Sequence, residues 1–231
     1  MEYAIIMAAG MGTRMRPVTD ETPKPLVKVH GIPMIETIIS GLLQRKIEKI
    51  FVVTGYLGEQ FQYLEQKYKQ IMLISNPYYE TINNISSLYT VKDILDCGAD
   101  FFICEADLYI TEPKIFQKQL DKSCYYGKMV SGFSEDWVFE QDENGKITRV
   151  GKGGTDCYNM VGISYFQKNE AIVLKKAIEE VYRKPGYESL FWDDVVNRNL
   201  EKLDLTVEPV CNEQITEIDT VEELEIINSQ I

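Results

Sequence analysis

Short apolar runs alternate with stretches of helical period through the first hundred residues. Residues 3–7 form a continuous apolar run bounded by turn formers, which predicts a buried strand. Residues 35–43 carry apolar side chains at helical spacing, with Pro33 well placed just ahead of them. A second buried strand is expected at 50–54, ended by Gly55, then an amphipathic helix at 57–68 and a third strand at 71–74. Residues 76–84 are polar, aromatic and rich in turn formers, and they lead into a helix at 86–95. The apolar run 101–104 ends in Glu105-Ala106-Asp107. Strand and helix alternating at this spacing argue for a parallel sheet covered on both faces. Ligands of such sheets bind at the carboxyl ends of the strands, where Gly10 and Asp107 both fall.

The second half changes character. Strands are expected at 128–133 and 137–141, a turn at Asp142-Glu143-Asn144-Gly145, and a returning strand at 146–150, which together make a hairpin. A strand at 160–166, a helix at 170–182 closed by Pro185-Gly186, and a helix at 189–203 opened by Ser189 follow. A last strand is expected at 205–210. Thr220, with Glu223 three residues on, reads as the capping box of a terminal helix. There is no internal repeat, low-complexity segment or linker, so one mixed α/β domain over 1–231 with an inserted hairpin lobe at about 128–150 is expected.

Charge narrows the partners. Lys and Arg number 24 against 36 Asp and Glu, a net −12 that argues against nucleic acid or an anionic membrane surface. No run reaches the length of a spanning helix, and the first strand is too short and wrongly flanked for a signal peptide. The five cysteines are odd in number and lack a Cys-x-x-Cys spacing, which suits buried free thiols in the cytoplasm. The lone His30 reads as a surface turn residue, since a catalytic histidine needs partners. Nothing in the pattern speaks to oligomeric state.

Positive charge is concentrated just after the first strand, in Met7-Ala8-Ala9-Gly10-Met11-Gly12-Thr13-Arg14-Met15-Arg16-Pro17, with Thr19 and Pro23-Lys24 behind. Small residues let backbone N–H groups approach an anion, and three cations would surround it. A plain turn would need the glycines but not the cations. A dinucleotide fingerprint would place a third glycine at Met15, and a Walker loop would need Gly-Lys-Ser/Thr; neither is present. Among the carboxylates, Asp107 ends a predicted core strand, where the ordinary role is a helix cap and the alternative is to hold Mg²⁺ beside phosphate oxygens.

The loop resembles the signature of the nucleotidyltransferases that couple a nucleoside triphosphate to a phosphorylated small molecule, Ala-Ala-Gly-x-Gly-x-Arg-x-x-Pro-x-Thr followed by Pro-Lys. Further on, Asn83-Asn84-Ile85-Ser86-Ser87-Leu88-Tyr89, Glu135-Asp136-Trp137, Leu190-Phe191-Trp192-Asp193-Asp194 and Glu217-Ile218-Asp219 resemble, in order along nearly the whole chain, the bacterial phosphocholine cytidylyltransferases of the LicC type. The resemblance implies a Rossmann-like fold: a mixed, mostly parallel sheet flanked by helices, with a nucleotide-binding half (1–110) and an acceptor-binding half (111–231). It implies that Ala8, Ala9, Gly10, Met11, Gly12 and Thr13 cradle the phosphates, that Arg14 takes the β and γ groups, and that Lys24 takes the α-phosphate and the incoming phosphate. Asp107 and Asp219 would hold Mg²⁺, Asn84 and Ser87 would meet the cytosine edge, and Glu105, Trp137, Trp192 and Asp193 would meet the acceptor. Competing roles stand beside these: helix capping for Asp219, Asn84 and Ser87, a metal-ligand role for Asp193, a surface position for Asp194, and core packing for the aromatics.

The implied reaction joins CTP to a small cationic phosphate or phosphonate, phosphocholine first, with phosphoethanolamine and 2-aminoethylphosphonate as alternatives, and releases pyrophosphate. The aromatic faces suit a quaternary ammonium and the carboxylates a primary one. A sugar-1-phosphate nucleotidyltransferase shares the N-terminal signature, but the Glu-Lys sugar motif and hexapeptide repeats are missing. A nucleotide-sensing module without chemistry is the non-enzymatic alternative.

Overall fold

Tyr3-Ala4-Ile5-Ile6 is apolar on both faces of an extended chain, so the first strand has to be covered from both sides. In the computed structural model, which describes residues 1–230, this strand sits inside a seven-stranded sheet. In chain order the elements are β1 (Glu2–Ala8), the ribbon β2 (Lys28–Val29) and β3 (Ile32–Pro33), α1 (Met34–Gln44), β4 (Lys49–Thr54), α2 (Gln62–Lys67), β5 (Ile71–Ser75), α3 (Ile85–Thr90) and β6 (Asp100–Glu105). Then come β7 (Leu108–Ile110), β8 (Ser123–Gln141), β9 (Ile147–Phe166), α4 (Lys168–Val181), α5 (Trp192–Asn197), β10 (Leu205–Pro209), β11 (Ile215–Glu217) and α6 (Val221–Ser229).

The sheet order is β10-β8-β9-β6-β1-β4-β5. β1 pairs in parallel with both β4 and β6, β4 with β5, and β10 with β8, while β9 runs antiparallel to β6 and β8. The sheet is thus mixed and mostly parallel, as expected. One face packs Ile6, Ile38, Ile39 and Leu42 under α1 and α2. The other packs Ile5, Leu88, Leu174, Ile178 and Val195 under α3, α4 and α5. Strand order reverses at β1, because β4 and β5 lie to one side and β6 to the other. The loops after β1 and β6 therefore diverge and leave a crevice between them. No helix among the described residues is long and apolar enough to cross a membrane.

Several elements depart from the pattern. The 57–68 helix begins as a 3-10 turn, Gly58–Phe61, after Leu57 at φ 48°, and only α2 is α-helical. The 86–95 helix breaks at Val91 into α3 and the 3-10 turn Lys92–Asp96. Ser189 does not open α5. Its carbonyl is drawn to Asn83 Nδ2 at 3.3 Å, and the helix starts at Trp192, where the Asp194 carboxylate accepts the Phe191 N–H at 2.9 Å. The hairpin turn at 142–145 forms, with Gly145 at φ 78°, but its arms are far longer than expected. β8 and β9 run unbroken from the lobe into the central sheet, with register shifts near residues 130–138. The strand at 205–210 is not the last, since β11 follows and pairs with β7. Only Cys104 and Cys124 are buried; Cys97 and Cys211 are exposed. His30 is an exposed turn residue at φ 47°, as its setting suggested.

The capping box of α6 forms in full. Thr220 Oγ accepts the Glu223 N–H at 3.2 Å, and Glu223 Oε2 accepts the Thr220 and Asp219 N–H groups at 2.9 and 2.7 Å. This fixes Asp219 at the rim of the crevice. Thr220→Ala should lower the unfolding free energy by about 1 kcal/mol, read by urea denaturation.

Candidate active site

The loop after β1 owes its shape to two anchors. Met15, where a dinucleotide loop would need glycine, is fully buried among Val27, Val29, Met34, Ile218 and Leu224. Gly12 stands at φ 59°, and a Cβ on it would come within 2.8 Å of Lys24 Cβ. A side chain at residue 12 would therefore displace the lysine. Thr19 Oγ1 donates to the Gly12 carbonyl at 2.8 Å and ties the loop back on itself. A Cβ on Gly10 would meet nothing within 4 Å, which leaves the backbone open to close approach by a ligand.

Around this loop lies a cleft of about 710 Å³. Ala8, Ala9, Gly10, Gly12, Thr13, Arg14 and Lys24 border it, and Met11 does not. Lys24 is 8 % exposed, and its Nζ donates to Asp107 Oδ2 at 2.6 Å and to Asp219 Oδ1 at 2.5 Å. Burial pulls its pKa down, but the two carboxylates outweigh that and raise it, so the lysine is charged. Arg14 also donates to Asp219 Oδ1, at 2.7 Å. The structure thus brings Arg14, Lys24, Asp107 and Asp219 together from residues far apart in the chain.

Carboxylates crowd the floor. Oxygens of Glu105, Asp107 and Glu217 lie within 4.8 Å of one another. Burial pushes Glu105 well above the usual carboxylate range, and the charges of Asp107, Asp193 and Glu217 add to the effect. Glu217 faces the open cleft yet is hemmed in by protein. That confinement, with Asp107 and Asp219 beside it, pushes it up to about 8, although Lys24 pulls the other way. Asp107 Oδ1 is buried without a hydrogen-bond partner. Hard oxygen donors at this spacing, one of them unsatisfied, fit a divalent cation such as Mg²⁺. Glu217 had no role assigned from the sequence. Its signal was its position two residues before Asp219 in an extended segment, where alternate side chains share a side.

Asn84 and Ser87 border the cleft with Tyr79, and neither side chain caps α3. Glu105, Asp136, Trp137 and Asp193 border it too. The expectation for Trp192 is corrected. It is 3 % exposed and stacks on Tyr125, with centroids 5.7 Å apart, inside the core. Phe191 reaches the cleft in its place and packs edge-on against Trp137 at 5.5 Å. The helix start at Trp192 decides this: the residue in the first turn points into the core, and the extended residue before it points out. Lys152 also borders the cleft, a cation that the sequence pattern gave no reason to single out.

Asp193 is 2 % exposed and accepts the Tyr125 hydroxyl at 3.0 Å. Burial, only partly offset by that bond, pushes it from 3.8 to about 7. The folded state therefore holds this proton more tightly than the unfolded chain. The stability gained is fully present below about pH 4 and is lost as pH rises through about 7. Asp193→Asn should flatten the fall in unfolding free energy between pH 4 and pH 8, read by urea denaturation across that range.

Comparisons with known proteins find relatives along nearly the whole chain. The family model for nucleotidyl transferases matches residues 3–150. A 2-aminoethylphosphonate cytidylyltransferase from Lancefieldella rimae is 53 % identical over 221 residues, covering 96 % of this chain and 89 % of the relative. A choline-phosphate cytidylyltransferase from Streptococcus pneumoniae is 34 % identical over 220 residues, 95 % and 94 % of the two chains. The solved structure of the CTP:phosphocholine cytidylyltransferase LicC from Streptococcus pneumoniae superposes with a TM-score of 0.90 at 32 % identity, covering 99 % of this chain and 98 % of that one. With the family model covering more than half its length and these relatives nearly all of it, this chain belongs to the nucleotidyl transferase family.

Proposed function

We propose that this protein is a cytidylyltransferase that moves CMP from CTP onto 2-aminoethylphosphonate and releases pyrophosphate. The observation that carries the reading is that one cleft is lined by the glycine loop with Arg14 and Lys24, by the polar side chains of Asn84 and Ser87, and by the acidic and aromatic side chains of Asp136, Trp137, Phe191 and Asp193. The base against Asn84 and Ser87 and a cationic acceptor against Asp136, Trp137 and Phe191 would leave the reacting phosphorus to Lys24. The acceptor class stands as expected, while the order within it changes. The 53 % identical relative acts on 2-aminoethylphosphonate, and phosphocholine becomes the second reading, supported by the 34 % identical relative. The carboxylates offered to the acceptor favour a primary ammonium, which donates three hydrogen bonds where a trimethylammonium donates none. The reading takes 1–231 as one domain and the cytoplasm, which supplies CTP, as its place.

In the reaction a phosphonate oxygen forms a bond to the α-phosphorus of CTP, the α–β bridging P–O bond breaks, and pyrophosphate leaves with that electron pair. The attacking oxygen is already anionic near neutral pH, so no strong general base is needed. The work of the protein is alignment and charge neutralisation. Lys24, buried and charged, is aimed by Asp107 and Asp219 and is offered to the α-phosphate. Arg14, mostly exposed and tethered only through Asp219, is offered to the outer phosphates. Asp107 and Asp219, with Glu217 alongside, would hold Mg²⁺, which when bound supplies positive charge at the α-phosphate and the leaving pyrophosphate. Trp137 and Phe191 give an apolar wall beside the acceptor ammonium.

A pyrophosphate-release screen of nucleoside triphosphates against amino-phosphonates, amino-alcohol phosphates and hexose 1-phosphates tests the reading. Highest kcat/KM is expected for CTP with 2-aminoethylphosphonate; turnover only with a hexose 1-phosphate would replace the reading by the sugar-nucleotide alternative. Lys24→Ala should lower kcat by more than about a hundredfold, as loss of a preorganised donor to the transition state does. Near-normal kcat in that variant would remove Lys24 from the mechanism.

A further inference from the structure

A nearly buried polar network of Asn76, Ser86 and Ser87 lines the cleft beside Asn84. Asn76 follows β5 and is 1 % exposed. Its Oδ1 accepts the Tyr78 N–H at 2.9 Å, and because an N–H only donates, this contact settles which end of the amide is which. Nδ2 therefore donates to Ser86 Oγ at 2.8 Å and to Ser87 Oγ at 3.4 Å. The Ser86 hydroxyl is fully engaged, since its proton goes to the Ile82 carbonyl at 3.3 Å. Ser87, 3 % exposed, has no further protein partner among the described residues, and it borders the cleft. With its oxygen receiving Asn76, its O–H proton points away from the amide. Asn84 is oriented by the same logic: its Oδ1 accepts the Trp192 N–H at 2.9 Å, so Nδ2 is the end left to act.

We propose that Asn76 is a positioning residue for base selection: it holds the Ser87 hydroxyl as a donor, so that Ser87 and Asn84 together offer two donors to the base. Cytosine presents adjacent acceptors, N3 and O2, and matches that pair. Uracil presents an N3–H, which would face a donor. The assignment rests on the cytidylyl-transfer reading above. It adds that the choice between the two pyrimidines depends on a nearly buried residue of the cleft lining, Asn76, through the direction of one hydroxyl proton.

The test is the ratio of kcat/KM for CTP over UTP, with 2-aminoethylphosphonate as acceptor. Asn76→Asp keeps the shape and the Tyr78 contact but accepts from both serines, which turns the Ser87 proton inward and presents a lone pair to the base. The ratio should fall by at least about tenfold, mostly through a higher KM for CTP, because a polar group matched to one partner is left facing a like group. Ser87→Ala should lower the ratio as well, and Asn76→Asp should add nothing to it in that background. Equal losses for both nucleotides would overturn the proposal, since a purely structural Asn76 would not discriminate between bases. If Asn76→Asp does not fold, Asn76→Ser replaces it, and an unchanged ratio there overturns the proposal. Failure of the underlying reading looks different: the wild-type protein would then turn over CTP with no amino-phosphonate or amino-phosphate. Calorimetric CTP and UTP affinities of wild-type and Asn76→Asp protein then decide, an unchanged affinity ratio overturning the proposal.

Discussion

The ammonium of Lys24, nearly sealed from solvent between Asp107 and Asp219, ties three distant parts of the chain to one point. A buried charge left without its partners is costly, so each partner has to be delivered accurately. Asp107 arrives on the end of β6, which is fixed by pairing with β1. Asp219 arrives after β11, which pairs with β7, and is held by the capping box of α6. Lys24 itself is kept in place by the loop that Met15 anchors and Gly12 lets pass. The short β7–β11 ribbon is thus a structural requirement of the charge cluster rather than an ornament of the main sheet.

The same cluster explains how an acidic protein can receive a polyanion. A net charge of −12 would repel a nucleoside triphosphate from most of the surface. The cations that meet the cleft are few, and the floor carries more carboxylates than they can balance. Burial and neighbouring negative charge push Glu105 and Glu217 upward, so further positive charge is favoured at this floor. In the proposed reaction a divalent cation and an acceptor ammonium would both bring positive charge to these carboxylates. Substrate charge and protein charge therefore complement each other piece by piece, although the totals are both negative.

The first hundred residues were legible because their elements are set by local pattern. A run apolar on both faces favours a buried parallel strand, and β1, β4 and β6 followed, while β5 is parallel but lies at the sheet edge with Met72 exposed. The N-terminal loop was legible through its resemblance to the nucleotidyltransferase signature, and the family match over residues 3–150 bears that membership out. Helix ends were less legible. Val91 breaks one predicted helix and Leu57 delays another, since apolar periodicity runs through such breaks without registering them. The lobe was half legible: its turn was marked by Asp142-Glu143-Asn144-Gly145, but the arms carry register shifts that erase simple alternation.

By itself the sequence determined the reaction class and the sheet that carries it, because the N-terminal signature and the strand pattern are local properties of contiguous residues. Tertiary structure alone decided that Phe191 rather than Trp192 meets the cleft, that Glu217 joins Asp107, and that Asn76 contacts Ser87. Each of those outcomes depends on where a helix starts or on which distant strand lies alongside, and a one-residue change in either turns a different side chain to the ligand. The loop from Gly10 to Lys24 could be recognised without its surroundings, but its lysine acquires two partners only when β6 and β11 close on it.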